Sequence, residues 1–331
     1  MIHAYLRDAV ARERDCPCRI CGDPLKGPSY FQQDIKQGTI TGGVVQVTDQ
    51  NYSFCTDPDV AVTERVIPLS DGAALKVIDF TPPQGDQNGP IVCFVAGWIS
   101  EINGWEGVLK ELTPRYKTLY VESREKKSAR IPQRRNIEFS ISRMVDDIHE
   151  ILEATVPYDR SFVFVGSSLG STTILDYLSR GLRCPALTIA IAPNAEFRIP
   201  AWAFFVARGI PPGAYTFVKG FIKWYLGTFR IDKTKEPEQL KKYEGTLDGA
   251  DFRRLKASAL SMKGYSVRPK LPLITSPVVI VGALSDRLHN AEEVKEIAQS
   301  IPGAQLEIME SNRATHSREA GLFIVERLEV L

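Results

Sequence analysis

Residues 162–171 read FVFVGSSLGS. The apolar, β-branched and aromatic run Phe162-Val163-Phe164-Val165 stops at Gly166-Ser167-Ser168-Leu169-Gly170, and a stretch of helical character, Thr172 to Leu182, follows at once. This is G-x-S-x-G between a buried strand and a helix, the setting of a nucleophile elbow. The turn is so tight that its flanks, Gly166 and Gly170, have room only for glycine-sized residues. It lifts the hydroxyl of Ser168 clear of the sheet. The helix that starts there aims its N-terminal amides at the same spot, where an oxyanion would develop.

Working outward, strands alternate with helices. Val62 to Ile67 and Ala73 to Phe80 read as strands joined by a turn at Ser70-Asp71-Gly72. The loop TPPQGDQNGP, 81–90, leads to the continuous apolar run Ile91 to Ala96, a strand buried on both faces. A helix from about Trp105 to Leu112, a strand at Thr118 to Val121 and an amphipathic helix from Phe139 to Ala154 precede the elbow. Strand Ala186 to Ala192 follows it. After an interruption the pattern resumes with strand Val278 to Val281, helix Ala291 to Ile301, strand Gln305 to Met309 and helix Arg318 to Val330. Such alternation predicts an α/β fold with a mainly parallel sheet covered by helices on both faces.

The interruption, 193–276, is too long for a loop and too helical for a linker. It carries Trp202, Phe205, Phe221 and Trp224 among other aromatics, and reads as a helical cap over the sheet edge where the elbow emerges. Its aromatics are either core packing or the walls of an acyl-chain slot. Residues 1–58 form a polar extension rich in Gly, Pro and Gln, leaving 59–192 and 277–331 as the core.

Composition narrows the field. A net charge of +1 over 331 residues gives no electrostatic case for nucleic acid or an anionic membrane as main partner. No run is apolar for long enough to span a bilayer. The start, MIHAYLRDAVARERD, has no apolar core of a secretory signal. Six cysteines without a paired framework point to the cytoplasm. Cys16, Cys18 and Cys21 resemble half of a zinc ribbon, but a structural site needs four ligands. Metal binding and a reduced, flexible leader both stay open there. The basic stretch REKKSARIPQRR, 124–135, is either a solvated loop or a seat for an anionic substrate.

Ser168 needs a base, and the chain has four histidines. His3 lies in the leader, and His149 reads as a solvated surface residue. His289 follows the strand at 278–281. His316 sits in the polar loop Ser311 to Ser317, from which a ring can reach across the carboxyl edge of the sheet. The base needs a carboxylate to hold its tautomer. Asp286, just past a strand end, is favoured over Glu196. The chain order Ser168, Asp286, His316 then follows the order of this architecture.

These residues, with Val95-Ala96-Gly97-Trp98 after the third strand and Trp105 beyond it, make 61–331 resemble an α/β-hydrolase of the serine esterase and lipase type with a helical cap. The resemblance implies an oxyanion hole from the backbone amides of Trp98 and Leu169. It also implies a small ester or thioester substrate and no cofactor. Many members carry His where this chain has Ala96. The expected activity is cleavage of carboxylic esters, with thioesterase or acyltransferase action, and a catalytically inactive binding protein, as alternatives.

Overall fold

The structure, a computed structural model, describes residues 52–85, 89–132, 137–197, 251–284 and 291–331. The leader with His3, Cys16, Cys18 and Cys21 lies outside them. So do Trp202, Phe205, Phe221 and Trp224, the two residues Asp286 and His289, and Gln133 to Arg135 of the basic stretch.

Eight strands form one sheet among the described residues. They are β1 (Ala61–Pro68), β2 (Ala74–Thr81), β3 (Ile91–Val95), β4 (Thr118–Val121), β5 (Phe162–Ser167), β6 (Leu187–Ile191), β7 (Val278–Ala283) and β8 (Gln305–Met309). Their order is β1-β2-β4-β3-β5-β6-β7-β8. β2 runs antiparallel to β1 and β4, and all the other pairings are parallel. Every residue of β3 to β7 is buried, which is why these strands read as unbroken apolar runs. A sheet of that kind must be covered twice.

Side chains that alternate along each strand supply two apolar layers. Cys93, Phe162, Phe164 and Ile280 face helices α2 (Ile141–Thr155), α3 (Leu169–Ser179) and α5 (Ala291–Ser300). Val92, Phe94, Val163 and Val165 face α1 (Glu106–Leu112) and α6 (Arg318–Glu329). His149 rides on α2, half-buried beside Tyr177 rather than solvated, so it stands on the sheet face opposite α6. The elbow helix begins at Leu169, three residues earlier than its composition suggests, because Ser168 itself is the cap. It ends at Ser179, where Arg180 and then Gly181, at φ +62, close it.

The chain joins the core before residue 59. Tyr52 and Cys55 are buried, and Tyr52 meets Phe80 edge-on. Burial pushes the Cys55 thiol up to about 12. At the other end of the interruption, α4 (Phe252–Ser261) is capped by Asp251, which accepts from the amides of Arg253 and Arg254. Val267, Leu271 and Ile274 then enter the layer under α2, α3 and α5.

The basic stretch is divided where it is described: Arg124 and Lys126 are buried, Lys127 and Arg130 exposed. Arg124 is fully buried, with Nη2 2.6 Å from Asp147 Oδ1, Nη1 2.8 Å from Asp71 Oδ2 and a bond to the carbonyl of Glu138. It ties the β1–β2 turn to α2. Lys126 is also buried, 3.1 Å from Glu122 and 3.3 Å from Glu101. Neither of these two faces solvent, so of the described cations of the stretch only Lys127 and Arg130 could meet an anionic substrate.

Candidate active site

Ser168 stands between β5 and α3 with φ 49 and ψ −117, a backbone region that side chains seldom occupy. Its N–H donates to the carbonyl of Ile191 at the end of β6 (2.9 Å), and its carbonyl accepts from Thr172 (3.0 Å). The flanking glycines are required by close approach. A Cβ on Gly170 would lie 2.2 Å from the carbonyl oxygen of Val95, and one on Gly166 would lie 2.5 Å from Ile174 Cδ1. The first turn of α3 therefore rests directly on the end of β3. A Cβ on Gly97 would come within 3.3 Å of the Ser167 carbonyl and 3.4 Å of Ser168 Cβ, so the segment leaving β3 runs against the elbow. Leu169 is buried at the head of the helix. The Trp98 indole donates to Ser258 Oγ of α4 (3.1 Å).

His316 ends a short 3-10 turn, Ala314–His316, and Ser317 caps α6 immediately after it by accepting from the Glu319 amide. Its ring stacks on Trp105 with centroids 4.3 Å apart. Nδ1 lies 3.0 Å from the carbonyl oxygen of Asn312 and 3.0 Å from Thr315 Oγ1. A carbonyl can only accept, so this contact places the ring proton on Nδ1 and the lone pair on Nε2. The loop is seated by two glycines. A Cβ on Gly107 of α1 would lie 2.7 Å from the Arg318 nitrogen, and one on Gly321 would lie 3.0 Å from Glu111 Cβ.

Glu196, the second candidate acid, bonds elsewhere. Its carboxylate takes Ser266 Oγ (3.2 Å) and Arg268 Nε (3.3 Å). A residue that composition did not single out touches Ser168 instead. Asn194 Nδ2 donates to Ser168 Oγ at 3.3 Å, while the Asn194 backbone exchanges bonds with Thr172 Oγ1 in both directions. The available signal was its place, three residues past β6 on the carboxyl edge, where ligand-facing groups gather in open α/β sheets. The three residues other than glycine with positive φ among those described are Ile99, Ser168 and Ala192. All follow the carboxyl ends of adjacent strands β3, β5 and β6, so the strain is gathered at this edge.

No group of His, Cys, Asp and Glu among the described residues could hold a metal ion. No helix among them is long and apolar enough to cross a membrane. No protein-family model and no curated protein matches the sequence. Solved structures do. An enol-lactonase from Burkholderia xenovorans aligns at 15% identity, covering 80% of this chain and 98% of its own, with TM-score 0.64. An esterase from Thermogutta terrifontis aligns at 18% over 81% and 98%, with TM-score 0.63. A bromoperoxidase from Bacillus anthracis aligns at 16% over 81% and 100%, with TM-score 0.64. With the strand order, the elbow and these alignments together, the chain has the α/β-hydrolase fold.

Proposed function

We propose that the protein is a serine hydrolase of carboxylic esters with an apolar acyl group, working through an acyl-enzyme on Ser168. The observation that carries this reading is the strained backbone of Ser168 at the strand-to-helix turn, with the Gly97 segment packed against it. In this mechanism Ser168 Oγ attacks the acyl carbonyl and His316 Nε2 takes its proton. The amides of Trp98 and Leu169 meet the developing oxyanion, and a donor of this type is commonly worth about 3 kcal/mol. The imidazolium then protonates the leaving oxygen, and the same ring activates water to release the acid. Asp286 has the orienting role, since Glu196 is paired with Arg268.

Asn194 supports the first step. By donating to Oγ it fills a lone pair and leaves the hydroxyl hydrogen for the base. The names of the esterase and lactonase among the similar structures agree with ester or lactone cleavage. The reduced thiols of Cys55, Cys93 and Cys184 fit a cytoplasmic setting.

A fluorophosphonate probe tests the assignment. Label should land on the peptide containing Ser168 and vanish in Ser168→Ala. Label on Ser167, or none in a folded sample, overturns it.

A further inference from the structure

Ile99 adopts φ 51, a left-handed conformation that a β-branched residue strongly disfavours. It sits one residue beyond Trp98, and contacts from outside its own loop hold it there. The Ile99 N–H donates to Glu125 Oε1 at 2.9 Å. The carbonyl of the next residue, Ser100, accepts from Lys126 Nζ at 3.0 Å. Adjacent side chains from the loop after β4 thus grip successive backbone groups of the loop after β3.

The grip is itself fastened. Ser123 Oγ donates to the same Glu125 oxygen at 2.7 Å, and the Glu125 carbonyl accepts from the amide of Asp251, the cap of α4. Glu125 is fully buried. A buried carboxyl costs a protein several kcal/mol unless its bonds repay it, and the Ile99 amide is among its donors.

We propose that Glu125 is a positioning residue that holds Ile99 in its strained conformation and so fixes the Trp98 amide where the oxyanion develops. This rests on the reading of Ser168 as the nucleophile. Glu125 acts as an acceptor of fixed reach: a glutamine amide keeps the oxygen that accepts from Ile99 and Ser123.

Glu125→Ala and Glu125→Gln decide the matter on p-nitrophenyl esters and by hydrogen exchange at the Ile99 amide. Glu125→Ala should lower kcat about 100-fold, the scale of losing one oxyanion donor, with KM moved less than about threefold. Its Ile99 amide should exchange at the rate of an open loop while the amides of β5 stay protected. Glu125→Gln should keep kcat within about threefold and keep the amide protected. If Glu125→Ala does not fold, Glu125→Asp, one methylene short of the amide, takes its place with the same expected split. A folded Ala or Asp variant with wild-type kcat, a rise in KM alone, or a Gln variant as impaired as Ala overturns the proposal. A wild-type chain that cleaves no ester and takes no label sinks the esterase reading instead. Exchange at Ile99 then decides alone whether Glu125 is the clamp.

Discussion

At Ser168 the cost of an unfavourable backbone, of order 1–3 kcal/mol, is met by the bonds of its own amide and carbonyl and by the close seat of α3 on β3. Around it, each polar partner has a distinct task. Asn194→Ala should lower kcat about tenfold with the fold intact, since one neutral hydrogen bond to the reacting oxygen is lost. A stopped-flow burst with an activated ester would assign the loss to acylation. On the proposed mechanism, Asp286→Asn should lower kcat by several orders of magnitude, because the carboxylate would stabilise the imidazolium. Glu196→Gln should remain near wild type, given its pairing with Ser266 and Arg268. The reverse ranking, measured on the same ester, would move the acid to Glu196.

At the scale of elements, the two halves of the site meet through glycines. α1 packs on the start of α6 at Gly107, and that contact, with the Trp105 ring, sets the height of His316. Gly107→Ala should destabilise the protein by roughly 2 kcal/mol through overpacking and, if His316 is the base, should lower kcat as well by displacing its loop. Thermal melting alongside kcat checks both; a drop in Tm without loss of activity would separate the contact from the chemistry. The interruption between β6 and β7 is tied to the core at its far end by α4. Arg254 Nη1 donates to the carbonyls of Lys126 and Ala129, and Ser261 Oγ to that of Phe139. If the aromatics of 193–276 wall an acyl slot, kcat/KM across p-nitrophenyl acetate, butyrate, octanoate and palmitate should peak beyond acetate. Each buried methylene contributes about 0.8 kcal/mol. A preference for acetate would leave those side chains as packing.

For the whole molecule, buried and half-buried carboxylates tie distant segments together. Asp176 on α3 accepts from Tyr265 (2.8 Å), Lys270 (2.7 Å) and Arg180 (3.0 Å). Burial alone would raise its carboxyl; these donors hold it below the ordinary value. Asp71 and Glu150 are depressed in the same way by Arg124 and Arg143. Groups so depressed stabilise the fold above their unfolded values, about 4, and lose that contribution as pH falls through the lower folded values. Denaturant midpoints should therefore drop below about pH 4, and Asp176→Asn should be less stable than wild type at pH 7 with a flatter acid limb. An unchanged limb would assign the acid sensitivity to other groups. The strands, the tight turn at Ser168 and the loop that carries His316 were legible in the chain because they depend on local order: period, glycine spacing and the run of apolar residues. Asn194 beside Ser168, Glu125 beneath Ile99 and the burial of Arg124 were not. Each joins residues from separate elements whose distance in the chain says nothing of their distance in space. Only the stacking of β3, β5 and β6 at one edge, with α4 laid across the loops, decided which polar side chains would meet there.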